Sequence, residues 1–389
     1  MNYTIVAGRD VEFEVNSLYE TLLKLGDKRK ARGKRYGLAS VLTLSVLAKL
    51  GGEDTPTGMA EWVSHRAEEL RGSLGLKRER MPHAVTYRRL LGQAVDIDEL
   101  EQVVGRFFQA CQAKTEQLAM DGKTLRGTIE TGQTRGVHLL AVYAVRAGVV
   151  LSQVNVLSKE NEIRAAPKVL AGLELGGKVV SGDAMFTQRD LSSHIVQAGG
   201  QYLWTVKDNQ PGLRADIQRL FGPEKVPLGS SALRTDFQSV TTTAKGHGRV
   251  ETHTLTTSAL LNATSDWPYL GQVFQLVRQV RYLKADKTTC EVSYGITSLP
   301  SSAASPKRLL DLHRHHWAIE NKRHYCRDVT FHEDACHLAI GHAAQTIAVL
   351  NNLVLGLLRL RGFSAIAAAR RRFSAHAAEA LALVLDALP

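Results

Sequence analysis

Residues Glu116–Gly127 read EQLAMDGKTLRG, and the texture of the chain changes there. Gln117–Met120 is a short apolar run that stops at Asp121-Gly122-Lys123, the pattern of a buried strand ending in a turn. Beyond it, Val137–Val145 and Val149–Leu157 are rich in Val, Leu and Tyr and are separated by Arg146-Ala147-Gly148, which predicts a hairpin. Glu160–Leu175 reads as a helix, Gly177–Ser181 as a short strand ending at Gly182-Asp183, Thr187–Ala198 as a helix and Gln201–Val206 as a strand. Strand, strand, strand, helix, strand, helix, strand is the order of an α/β fold, a mixed sheet whose parallel strands are joined through helices.

Upstream, to about Gln112, apolar residues recur with the helical period. Helices are expected at Leu38–Leu50, Thr55–Leu70 and Asp96–Gln112. A further one begins near Pro82, whose missing N–H costs nothing in a first turn. Arg88 and Arg89 lie on that helix, and the basic run Asp27–Tyr36, DKRKARGKRY, precedes the first long one. The arrangement is compatible with a helix-turn-helix-like DNA reader or with a small helical scaffold. Downstream, from Lys207 to about Pro300, the helical period disappears. Thr235–Thr243, Arg249–Thr257, Val273–Tyr282 and Thr289–Thr297 alternate apolar and polar residues, which predicts an inserted all-β subdomain. Helix returns at Pro306–Arg327, and the tail is helical, with Ile347, Leu350, Val354, Leu357 and Leu358 on one apolar stripe. The expected segments are 1–113, a helical DNA-binding or associated domain; 114–206, the first part of a catalytic core; 207–300, the β-rich insertion; and 301–389, the second part of the core with a helical tail.

The chain has 389 residues and a net charge of +11. That excess suggests a polyanionic partner, with nucleic acid the first candidate and an ordinary basic enzyme the alternative. Cys111, Cys290, Cys326 and Cys336 show no disulfide or paired CxxC spacing, which points to a reducing, cytoplasmic setting. The start lacks a signal pattern, and polar residues interrupt the apolar runs Val41–Leu50 and Ile347–Leu360, so no membrane span is expected.

His313–Ala335, HRHHWAIENKRHYCRDVTFHEDA, reads as one helix ending in a tighter segment. On it Glu320, His324 and Asp328 share a stripe, with Arg327 beside them. A single Asp at a strand end is commonly a turn former or cap. Asp121 and Asp183 together with Glu320, however, make a set of hard oxygen donors suited to Mg²⁺, with Mn²⁺ as substitute. Two such ions about 3.5–4 Å apart serve phosphodiester chemistry.

The segments Met120–Gly127, Gly182–Gln188, Val206–Gln210, Lys245–Glu251 and His316–Asn321 occur in that order. Together they resemble the DDE transposases of bacterial insertion sequences, in the ISAs-one or H-repeat-associated group, over nearly the whole chain. The resemblance implies an RNase H-like core with the β insertion placed before the glutamate helix. It implies Asp121, Asp183 and Glu320 as the metal-binding triad, cleavage at transposon ends and strand transfer into target DNA. It also implies double-stranded DNA as partner and at least a homodimer on it. A domesticated relative that binds or nicks DNA without transposing carries the same triad. The chain departs from the wider superfamily at His313 and His316, where tyrosine and arginine are usual, at Arg327, where lysine is usual, and at Phe186, where the close group has histidine.

Around the triad, Lys123 and Arg126 are candidate phosphate contacts or a solvated turn. Asn209 and Gln210 could orient DNA or simply form a turn. His247 and Arg249 lie in a Gly-flanked hairpin open to close approach. His316, Arg327, Arg88 and Arg89 are further DNA-contact candidates, and His324 and Asp328 are candidate supports for the glutamate. A zinc module of Cys326, His332, Cys336 and His337 is the non-enzymatic alternative.

Overall fold

The computed structural model describes residues 17–30, 34–111, 115–156, 162–222, 236–285, 287–316, 324–336, 338 and 340–386. In chain order the strands are β1 (Gln117–Thr124), β2 (His138–Ala144), β3 (Val149–Val156), β4 (Val179–Gly182), β5 (Gln201–Val206), β6 (Gln238–Gly246), β7 (Arg249–Ser258), β8 (Gln272–Tyr282) and β9 (Lys287–Thr297). They form a mixed sheet in the order β3-β2-β1-β4-β5-β9-β8-β7-β6. β1, β4 and β5 run parallel, and β2–β3 and the ladders from β5 to β6 are antiparallel.

The helices are α1 (Leu18–Leu23), α2 (Leu38–Leu50), α3 (Pro56–Ser64), α4 (Ala67–Leu74), α5 (Ala84–Arg89), α6 (Ile97–Cys111), α7 (Glu162–Leu170), α8 (Arg189–Gln197), α9 (Pro211–Phe221), α10 (Pro306–His316), α11 (Ala343–Leu360), α12 (Ile366–Ala375) and α13 (Ala377–Leu385). Contacts group the chain into two units. One comprises Met1–Thr115, Gly122–Leu170 and Ile319–Pro389; the other comprises Glu116–Asp121 and Ala171–Ala318. The helical N-terminus therefore shares a unit with the hairpin and the tail, rather than standing alone as the segment 1–113.

In the first unit, α2 has apolar residues all round and is buried on every side, as such a helix must be. α11 packs against α2, α6 and β3. It has the length and hydropathy of a membrane span, yet 78% of it is buried in the unit. α6 approaches β3 so closely that a Cβ at Gly105 would lie 2.4 Å from the Leu151 carbonyl oxygen. The helix expected over Thr55–Leu70 is broken at His65–Arg66 into α3 and α4. Arg370, within the basic cluster of the tail, is a buried brace. It donates to both Asp54 carboxylate oxygens at 2.9 Å and to the Lys49 carbonyl at 2.9 Å. Lys49 is itself fully buried and donates to Asp54 at 2.8 Å.

The second unit differs from expectation in two ways. The stretch 207–300 opens with a helix, α9, which Pro211 starts and whose Leu213, Ile217 and Leu220 follow the helical period. Its strands also do not form a separate sheet, because β9 pairs with β5 from Leu203↔Thr297 to Val206↔Tyr294. The core of this unit gathers Val179, Leu203, Leu255, Phe274, Leu276 and Leu299 with Leu309, Leu310 and Leu312 of α10. At roughly 1.5–3 kcal/mol per fully buried side chain, those three leucines hold α10 firmly against the sheet.

Candidate active site

The parallel register of β1 and β4 runs from Gln117↔Val179 to Met120↔Gly182. The next residue on each side is an aspartate, so Asp121, within β1, and Asp183, just past β4, stand level on neighbouring segments about 4.8 Å apart; β1 runs on to Thr124 rather than stopping at Asp121. The C-terminal edge of parallel strands is where α/β sheets form their crevices. Asp121 is half-buried and the Asp183 side chain is 63% exposed, so both carboxylates are reachable.

Hydrogen bonds dock the end of α10 beside this pair. Gln117 donates to the Leu312 carbonyl at 2.8 Å and to Ser181 Oγ at 3.0 Å. Ser181 Oγ lies 3.2 Å from His316 Nδ1, and His316 Nε2 lies 3.8 Å from Asp183 Oδ1. His316 thus faces Asp183 and is largely covered. Its neighbour on the helix, His313, packs edge-on against Phe274, and burial pushes its imidazole down to about 4. Glu320 lies outside the described residues.

The loop after Asp183 is braced from the end of β5. The Asn209 amide donates to the Ala184 carbonyl at 2.7 Å, and the Gln210 amide donates to the Thr187 carbonyl at 2.9 Å. The Asn209 side-chain nitrogen is thereby committed to the protein rather than to DNA. Phe186 is fully buried, so this position is a packing position in this chain.

In the first unit, the residues after Asp121 meet the segment that follows Glu320. Lys123 is only 8% exposed. Its ammonium lies 2.5 Å from Asp328 and 3.8 Å from Asp334, so it is a buried clamp and not a phosphate contact. Arg126 is 80% exposed, and its backbone N–H donates to Asp334 at 3.2 Å. Cys326–Thr330 is π-helical and Glu333–Ala335 is a 3-10 turn. The wider π turn departs from the 3.6-residue period on which the shared stripe was based. Asp328 pairs with Lys123, and His324 is half-buried.

Arg327 is fully buried, which removes it from the DNA contacts. Its guanidinium meets the Glu333 carboxylate at 2.6 and 2.8 Å, and Asn351 of α11 donates to the same carboxylate at 2.7 Å. Burial raises the Glu333 carboxyl's affinity for a proton. The Arg327 charge and the bonds from Arg327 and Asn351 outweigh that effect and hold the group below the usual range.

The remaining candidates stand apart. His247-Gly248 is a two-residue turn with φ of 48° and 73°, the type I′ pattern that closes β6 onto β7. Arg249 pairs with Glu251, while His247 is exposed. Arg88 and Arg89 are exposed at the end of the six-residue α5, and Arg88 donates to Thr57 at 3.1 Å.

Sequence reading missed one buried arrangement. Glu162 of α7 lies 2.6 Å from His138 Nε2, and His138 Nδ1 lies 2.8 Å from Thr124 Oγ1 of β1. The Glu162 carboxylate also packs so closely on Gly122 that a Cβ there would fall 2.5 Å from Oε1. Glu162 shares its buried face with Ala166 and Val169, and a carboxylate on an apolar stripe was the available signal.

The carboxylates of Asp121 and Asp183 fit a hard divalent cation in donor type. Among the described residues, no group of three His, Cys, Asp or Glu residues could hold a metal, so the zinc reading gains no support from Cys326, His332 and Cys336; His337 lies outside them.

Comparison with known proteins agrees with this geometry. The family described as "Transposase DDE domain" matches residues 112–357, and that described as "DDE_Tnp_1-associated" matches residues 19–108. A relative named as a transposase, YncI of Escherichia coli O157:H7, is 31% identical over 89% of this chain and 88% of its own length. The H repeat-associated protein YhhI of Escherichia coli K12 is 26% identical over 89% of this chain and 91% of its own. A solved piggyBac transposase synaptic complex with hairpin DNA covers 96% of this chain and 78% of that chain, at a TM-score of 0.40 and 11% identity, which is too low a likeness to carry an inference. The chain belongs to the DDE transposases.

Proposed function

We propose that Asp121, Asp183 and Glu320 form the metal-binding triad with which this transposase cleaves transposon ends and joins them to target DNA. The observation that carries the reading is the parallel register of β1 and β4, which sets Asp121, within β1, level with Asp183, just past the end of β4. The family depends on divalent metal, and the donor type favours Mg²⁺, with Mn²⁺ as substitute. When bound, a pair of such ions would activate the attacking oxygen and stabilise the leaving oxygen on phosphorus. The chain's own part is positional. Gln117 and Ser181 fix the end of α10, and Asn209 and Gln210 fix the loop after Asp183, so that the backbone carrying the aspartate is set before binding. The strand order β3-β2-β1-β4-β5 supports an RNase H-like core, extended by β6–β9 as the insertion. The substrate is double-stranded DNA in the bacterial cytoplasm, and one active site per transposon end calls for at least a homodimer.

The test is cleavage in vitro of DNA carrying the gene's own flanking sequence, with Mg²⁺. Asp121→Ala, Asp183→Ala and Glu320→Ala should each abolish cleavage and strand transfer while DNA binding and melting temperature are retained. Full activity in any one of them would remove that residue from the triad.

A further inference from the structure

Two basic runs that are distant in sequence meet in the first unit. Arg78 Nε donates to the Arg35 carbonyl at 3.0 Å, and the Tyr36 hydroxyl donates to the Arg80 carbonyl at 2.6 Å. These bonds stitch the loop before α2 to the loop before α5. Lys34, Arg35, Lys77, Arg78 and Arg80 are all exposed there, with Asp27 and Glu79 the acidic residues of these two stretches. Lys34 is held by Asp27, at 3.6 Å. No carboxylate pairs with Arg35, Lys77, Arg78 or Arg80 among the described residues. The neighbouring basic residues Lys28 and Arg29 contrast with them, since each is neutralised by an aspartate. A fold that joins two cationic loops and leaves their charges uncompensated is arranged to meet an anion larger than one side chain.

We propose that these paired loops are a contact surface for the phosphate backbone of duplex DNA. The proposal rests on the transposase reading above and adds to it the surface that grips the DNA. It also places the grip on the loops rather than on α5, which runs on through the π-helical turn Leu90–Ala94. Side chains in loops joined by bonds from one loop's side chain to the other's carbonyl can follow a phosphate path without reading bases, so the contact should be indifferent to sequence.

The experiment uses the full chain and measures affinity against salt concentration by fluorescence anisotropy. Two duplexes are compared, one from the gene's flanking sequence and one of random sequence. The variant is Arg35→Ala/Lys77→Ala/Arg80→Ala, three side chains that make no internal hydrogen bond among the described residues and so leave the fold intact, which an unchanged melting curve checks. The control is Arg146→Ala/Arg164→Ala/Arg371→Ala, which removes the same charge from other exposed positions. Three lost phosphate contacts should lower the slope of log affinity against log salt by about 2–3 and weaken binding about 100-fold at 0.15 M salt, equally on both duplexes. An unchanged slope in the variant, with a steep slope in the parent, overturns the surface while leaving the transposase reading standing. An equal effect from the control trio overturns it in favour of diffuse charge. A loss confined to the flanking duplex overturns the phosphate assignment. A flat salt response in the parent itself removes the DNA reading and this surface together.

Discussion

Replacing Arg327 by alanine separates two roles that sequence position alone leaves together. If the guanidinium contacted DNA, its loss would lower affinity and reduce the salt slope by about 1 while the protein stayed folded. The structure predicts the reverse. Arg327 is fully buried and the side chain of Glu333 is only 3% exposed, so the substitution strands a buried carboxylate that keeps a single donor, Asn351. Removing one partner of a buried pair costs about 3–5 kcal/mol. For a unit of this size, that is a fall in melting temperature of about 6–20 °C at pH 7. The pH dependence has a definite sign. Glu333 is held below its ordinary value of 4.5 in the folded parent, so its stabilisation is complete above that pH and is lost as pH falls toward the depressed value. In the variant Glu333 escapes its penalty by protonating, so the gap between parent and variant should narrow on acidification. The assay is thermal melting by circular dichroism at pH 7 and pH 4, with DNA affinity measured below the variant's transition. A variant that melts within about 2 °C of the parent and loses one unit of salt slope would refute the buried-pair reasoning.

Gly122→Ala forces a methyl group against a Glu162 carboxylate that is pinned by His138; overpacking of this kind costs about 1–3 kcal/mol, and a melting temperature equal to the parent's would show that the contact yields freely. Lys123→Asp should abolish Mg²⁺-dependent cleavage without abolishing DNA binding, and Lys123→Asp/Asp328→Lys should restore part of it; no recovery in the swap would mean that the ion pair is not what orders this segment. His313 is held neutral in the fold, with its pKa pushed by burial from an ordinary 6.5 to about 4, and the charges of His316 and His253 act in the same direction. Protonation therefore favours the unfolded chain, and stability should fall as pH drops from 6.5 toward 4, by at most about 1.4 kcal/mol per pH unit, the limit for a single proton. His313→Gln should flatten that limb in denaturant titrations, and an identical acid limb would place the titration elsewhere.

The two aspartates were legible because the signal is local. An apolar run that meets Asp-Gly or Gly-Asp marks a buried strand and its aspartate whichever element lies beside it, although β1 passes Asp121 and ends at Thr124. The type I′ turn at His247-Gly248 was legible for the same reason. What escaped was nonlocal. Arg327 reads as an exposed helix cation until Glu333, six residues on, and Asn351, on a different helix, are brought to it. The β-rich stretch reads as a separate body until β9 is seen to pair with β5, an edge that sequence pattern does not reveal. Lys123 looked like a solvated turn because it follows a glycine, yet β1 continues to Thr124 and carries the lysine inside.

Described residues on either side of Glu320 are each held in their own unit. Four residues before it, His316 is held against Ser181 and Asp183. Eight residues after it, Asp328 is held by Lys123, two residues beyond Asp121. Each flank of the glutamate is therefore tied to the chain within two residues of one of the aspartates. In the proposed triad the glutamate is nearly 140 residues from Asp183 along the chain, and the loop-closure cost of such a span grows only slowly with length, so a few contacts on its flanks would offset it. On the proposed triad, Ser181→Ala or Lys123→Ala should lower cleavage through the position of Glu320 without removing any proposed metal ligand, and the double variant should depart from additivity because both act on that one residue; strict additivity of the two in a cleavage assay would refute the shared route.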